Sequence, residues 1–150
     1  MTMTDLSEIV APNPDPLHVR AEIAALHDRM SSVDQVEIRH EETLAYGLYT
    51  RTIFIPKGVL LLGKIHKKPC VNIVLSGDIS IATETGEIRA QAGYMVTSPA
   101  GMQKVGLAHA DTVFVNVFRT DETDIAKIEA DLIAESFEAL EGAGGLPCLG

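Results

Sequence analysis

Apolar positions along this chain change period twice, and the changes divide it into three stretches. Residues 1–14 are polar and carry Pro12 and Pro14, which predicts a flexible arm. Asp15-Pro16 then supplies a capping side chain followed by proline at a first helical position. Leu17, Ile23, Leu26 and Met30 recur at roughly helical spacing, and Ser31-Ser32 ends the run, so a short helix is expected there. From Val36 the period becomes two. Short strands are predicted at 46–55, 59–65, 71–75, 79–83, 87–90, 94–97, 104–108 and 112–118. Pro56-Lys57-Gly58, Ser76-Gly77-Asp78 and Thr85-Gly86-Glu87 punctuate them as turns. After Asp121 the helical period returns. Ile125, Ile128, Leu132, Ile133, Phe137 and Leu140 form one stripe, Asp121 or Thr123 stands ready to cap it, and Gly142 suits its end.

Many short strands without intervening helices point to an all-β sandwich or barrel, and two packed sheets of a jelly roll meet the count. The expected organisation is an arm and helix over residues 1–35, a β-barrel over 36–120, and an amphipathic helix with a tail over 121–150. The last helix is expected to pack on the outer face of a sheet.

At 150 residues with 46% apolar content, the chain is long enough for one domain with a real core. The formal net charge of −9 argues against a phosphate-binding face, so no nucleic-acid partner is expected. No apolar run reaches the length of a membrane span, and the N-terminus lacks the basic and apolar regions of a signal peptide. Cys70 and Cys148 do not make a disulfide framework, which favours a reducing compartment.

One spacing carries more information than the rest. Gly58 is followed after five residues by Lys64-Ile65-His66, after three more by Cys70, and after six more by Gly77. Downstream, Gly93, Pro99 and Gly101 are followed by Lys104 and Ala108 at matching intervals. This frame resembles the two motifs of cupins, with Lys64, His66, Cys70 and Lys104 in the slots that hold His, His, Glu and His in that family. Together with Leu75-Ser76-Gly77, Ser98-Pro99-Ala100-Gly101 and Asp121-Glu122-Thr123-Asp124, it resembles small cupin-like proteins encoded by tailed bacteriophages. The resemblance covers roughly residues 45–120. It implies a cupin-type double-stranded β-helix with degenerate metal motifs, and a viral setting in the virion or the host cytoplasm.

Two chemistries compete at those slots. His66 and Cys70 offer two donors for zinc or another transition metal, short of the three or four a site needs. A lysine ammonium has no lone pair and repels a cation, so Lys64 and Lys104 oppose a metal, and no cofactor is expected. Alternatively, Lys64 and Lys104 hold an anion, either a ligand's carboxylate or phosphate or an internal acid such as Glu84 or Glu87. The internal ion pair is the expectation favoured here. Cys70 beside two lysines has the setting of a lowered pKa, yet its apolar neighbours Val71, Ile73 and Leu75 predict an inert buried thiol. His109 is expected in an exposed loop, and His18, His27 and His40 show no ligand spacing. No nucleophile–base spacing, phosphate-binding glycine loop or paired-cysteine zinc pattern is present.

The function expected first is therefore a non-enzymatic virion component, such as a capsid decoration or head–tail accessory protein. The alternative is a small cupin that binds a metal or a metabolite, as enzyme or sensor. Either is expected to form a homo-oligomer, with residues 1–30 as the candidate exchanged arm.

Overall fold

The computed structural model of the chain describes residues 5–6 and 15–142. Most of the expected arm, the tail after Gly142, and Cys148 lie outside the described residues. Helix α1 (Pro16–Ser31) begins as its sequence demands. Asp15 Oδ1 accepts the Leu17 N–H at 3.1 Å, and Pro16 sits where no N–H is required. Val19, Ile23 and Leu26 form the buried face. Leu17, expected on that face, is 70% exposed, because six residues before Ile23 is not a whole number of helical turns.

The strands follow as β1 (Arg39–Ala45), β2 (Leu48–Ile55), β3 (Leu60–Leu62), β4 (Ile65–His66), β5 (Cys70–Ser76), β6 (Asp78–Thr83), β7 (Gly86–Gln91), β8 (Met95–Ser98), β9 (Val105–Ala108) and β10 (Thr112–Arg119). They make a five-stranded sheet, β1-β2-β10-β5-β8, and a four-stranded sheet, β3-β9-β6-β7, antiparallel throughout. The chain is thus mainly β, a jelly roll of two facing sheets. Ile55, Val74 and Phe114 from the first meet Ile79, Ile81 and Ala108 from the second in the barrel core. The outer face of the four-stranded sheet presents Ala82, Val105 and Leu107, and α1 covers it with help from Leu6.

Two expected strands prove to be composite. Residues 46–55 contain a tight turn at Tyr46-Gly47, with φ of 48° and 84°, which joins β1 to β2 as a hairpin. Positive φ at both central residues matches the right-handed twist of paired strands. Residues 59–65 break at Gly63-Lys64, where the Gly63 N–H leaves the strand to donate to Lys104 O at 2.8 Å.

The single C-terminal helix is also corrected. It divides into α2 (Ile125–Leu132), β11 (Ile133–Ala134) and α3 (Phe137–Gly142). β11 pairs with β4, and the Lys67 N–H donates to Leu132 O at 2.7 Å, so an open strand edge outcompetes continued helix. Asp124, not Asp121 or Thr123, is the cap, with Oδ1 accepting the Lys127 N–H at 3.2 Å. Nor does α2 lie on the outside of a sheet. Ile128 and Leu132 pack with Tyr49, Cys70 and Phe118, inward-facing residues at one end of the barrel. Helix α2 is therefore a plug. No described helix is long and apolar enough to cross a membrane.

Candidate functional site

The motif glycines and proline build the turns that aim the slot residues. Gly58 and Gly93 stand in the turns before β3 and β8, and Pro99 follows β8. Gly77 has φ of 98°, and a Cβ there would lie 2.4 Å from both Asp111 O and Thr112 Oγ1, so only glycine lets the β5–β6 turn close on β10. Gly101, with φ of 81°, donates its N–H to His66 O at 2.7 Å and ties the second motif to the first. The result brings His66, Cys70 and Lys104 to one end of the barrel, beneath α2.

There His66 Nδ1 lies 3.5 Å from Cys70 Sγ, and the imidazole stands edge-on to the Phe118 ring at 5.0 Å. Cys70 Sγ donates to Asn72 Oδ1 at 3.6 Å, and Asn72 in turn donates to Ser98 Oγ at 2.5 Å. Burial drives the His66 pKa down to about 4, helped by the charges of Lys104 and Arg51, so the ring is neutral. Burial also raises the Cys70 thiol, against the opposing pull of Lys104 and of the Asn72 hydrogen bond. Cys70 is a buried free thiol and not an activated nucleophile.

Lys104 is half-buried and makes no side-chain hydrogen bond or ion pair among the described residues. Desolvation pushes its pKa down. Lys64 remains exposed. The expected internal partner is otherwise engaged: Glu84, 4% exposed, accepts from Arg20 Nε at 2.6 Å on the α1 side of the sheet. Glu87 is exposed on β7. The predicted internal ion pair is therefore not formed, because Glu84 faces the helix and not the barrel interior.

A cavity of about 190 Å³ occupies the barrel between these groups and α2. Ile53, Leu61, Ile81 and Phe114 form part of its apolar wall. Polar residues also line it, Lys64, Lys104, His66, Tyr49, Arg51 and Asn116, and Glu129, Leu132 and Ile133 line it from the α2 side. Arg51 Nη1 donates to Glu129 Oε1 at 3.1 Å, which fastens the plug to the barrel floor. Tyr49 is 2% exposed and its hydroxyl has no hydrogen-bond partner among the described residues. Burial, and next the charge of Glu129, raise its pKa, so it stays a phenol. The Asn116 side chain, on a residue 6% exposed, also lacks a partner among the described residues.

Tyr49, Arg51, Asn116 and Glu129 were absent from the sequence-based candidates. A signal existed for two of them: Arg51 and Asn116 interrupt the alternating inward-facing apolar positions of β2 and β10. For Tyr49 and Glu129, only the folded arrangement reveals the role. His109 turns away from the cavity. Its Nε2 lies 2.8 Å from Ser80 Oγ, so it is a half-buried, bonded side chain and not a free loop histidine.

The residues do not fit a metal centre. His66 and Cys70 are the only donors at the slots, no third His, Cys, Asp or Glu joins them among the described residues, and Lys104 adds an ammonium beside them.

Neither a protein-family model nor a curated protein sequence matches the chain. Solved structures do. KdgF from Halomonas sp. superposes with a TM-score of 0.51 at 15% identity, over 61% of this chain and 88% of that one. A cupin superfamily protein from Desulfitobacterium hafniense gives 0.51 at 9%, over 60% and 84%. A Photorhabdus luminescens protein gives 0.51 at 11%, over 65% and 88%. At such identities the likeness speaks for fold alone, and with the sheet order and motif turns described above it establishes that this chain folds as a cupin jelly roll.

Proposed function

We propose that the protein is a metal-free cupin that binds a small organic anion inside its barrel. One observation carries this: Lys104 and Asn116 line one cavity, and neither side chain has a hydrogen-bond or ion-pair partner among the described residues. Buried polar groups are normally satisfied, and an unpaired buried charge is strongly unfavourable. A ligand carboxylate would supply the missing counter-charge and accept from the Asn116 amide. An apolar cavity of about 150 Å³ accommodates benzene, so 190 Å³ suits a metabolite of a few carbons.

The test is calorimetry of the purified protein against a panel of small carboxylates and phosphates, with elemental analysis of the same sample. Charge-assisted hydrogen bonds contribute about 1.5–3 kcal/mol, so Lys104→Met should weaken binding by roughly tenfold or more. Absence of any anion binding, or a stoichiometric metal that disappears in His66→Ala, would overturn the proposal.

A virion role, the expectation drawn from the resemblance to phage-encoded cupin-like proteins, stands as a second proposal. The acidic surface is compatible with it. Its apolar stripe, however, is largely buried within one chain, with Ile128 at 0%, Leu132 at 2% and Leu140 at 7% exposure. Homo-oligomerisation is part of either proposal. Val71, Ile73, Val115 and Val117 lie on the outer face of the five-stranded sheet, where no described helix joins them in an apolar cluster. Light scattering of the purified chain tests this, and a monomer at all concentrations would exclude it.

A further inference from the structure

The cavity raises a second question, which rests on the anion-binding reading: why its half-buried amine, that of Lys104, is left bare. A binding site that needs only positive charge is better served by arginine, whose guanidinium stays protonated and forks onto a carboxylate. Arg51 already provides one at the cavity wall, tied to Glu129 by a single nitrogen, with its remaining N–H groups available. Lys104 differs in kind. It holds an amine in a half-enclosed apolar space, with no carboxylate against it to keep it protonated, and with neutral His66 and the phenol of Tyr49 bordering the same cavity. Desolvated lysines of this sort are nucleophiles toward carbonyl carbon.

We infer that Lys104 captures a small 2-oxo carboxylic acid as a reversible imine, with the acid's carboxylate held by Arg51. The neutral amine of Lys104 adds to the ketone carbon, and the carbonyl oxygen takes up a proton to give a carbinolamine. Loss of that oxygen as water leaves the carbon–nitrogen double bond. No oxidant or reductant is consumed, and hydrolysis reverses the sequence. His66 is neutral at physiological pH and so is able to carry a proton between amine and leaving water. Desolvation of Lys104 acts in the same direction, since each unit of pKa depression raises the neutral fraction about tenfold. The cavity volume limits the ligand to a short chain, of which pyruvate and 2-oxobutyrate are the simplest probes.

The experiment treats the folded, full-length chain with pyruvate and sodium borohydride, which reduces an imine to a stable secondary amine. Intact mass and peptide mapping then locate the adduct. The expected result is one adduct per chain, heavier by the mass of pyruvate less one oxygen atom, and located on Lys104. Labelling of Lys104 should exceed that of exposed Lys57, which is not part of the cavity lining, by about tenfold or more, and the preference should vanish in urea. Lys104→Arg should retain pyruvate binding by calorimetry while losing the adduct. Mapping on the unaltered chain keeps the test valid if that variant does not fold. Pyruvate binding without a Lys104 adduct, or labelling spread evenly over surface lysines, would overturn the imine and leave anion binding intact. If neither pyruvate nor 2-oxobutyrate binds while other small carboxylates do, the imine falls and anion binding stands.

Discussion

Replacing Tyr49 by phenylalanine should make the ligand-free protein more stable, which is unusual for a change at a residue only 2% exposed. The ring packs beside Phe118, with centroids 6.3 Å apart, and in the cluster of Ile128 and Leu132; phenylalanine keeps those contacts. What it loses is a hydroxyl that has no partner among the described residues. Mutational data put the cost of burying such a group at about 1–3 kcal/mol. Some water reaches any cavity of this size, so the lower end applies, and a gain of about 1 kcal/mol is expected. For a chain of this length that raises Tm by about 2–4 °C. Urea titration followed by circular dichroism measures it directly. A loss of about 1 kcal/mol on Tyr49→Phe would mean that the hydroxyl is well bonded in the empty protein. That result would refute the reading of Tyr49 as an unsatisfied buried phenol.

Other outcomes follow from the same geometry. Leu132→Ala, at a site 2% exposed under α2, should cost about 2–5 kcal/mol in urea titration, and a cost near zero would mean the plug is not seated in solution. Arg20→Ala leaves Glu84 buried without its guanidinium and should cost about 3–5 kcal/mol, while the pair replacement by two apolar residues should be far milder. The pH dependence has a definite sign. His66 titrates near 4 in the folded chain and near 6.5 when unfolded, so the unfolded chain binds the proton first. Its contribution is complete above pH 6.5 and is lost as pH falls through 4. His66→Gln should flatten that limb of the urea-midpoint profile, and an unchanged slope would contradict a buried neutral imidazole. In a Cys148→Ser background, Cys70 should resist thiol reagents until the protein unfolds, and rapid labelling of the native state would refute its raised pKa.

Much of the frame was legible because it is written in short-range sterics. The start of α1 depends on one carboxylate and one proline, and both act within three residues. The strand series rests on period-two alternation, and the motif turns on glycines that alone accept their φ. The motif resemblance also singled out Lys64, His66, Cys70 and Lys104, and the fold gathers the last three at one end of the barrel. Residues that act through distant partners were not legible. The β1–β2 hairpin escaped notice since Tyr46 is an uncommon occupant of a positive-φ position.

The split of the last helix was decided by tertiary structure. Its stripe is compatible with continuous helix, and only the open edge of β4 makes extended backbone at Ile133–Ala134 the better bonded choice. The fate of Glu84 was decided the same way. A buried carboxylate needs a cation, and whether that cation is Lys104 or Arg20 depends on which face of β6 and its following turn meets which element. With Arg20 claiming Glu84 on the helix side, the lysine inside the barrel is left without an acid, and that arrangement of charges, invisible to local pattern, is what suits the cavity to the proposed anion.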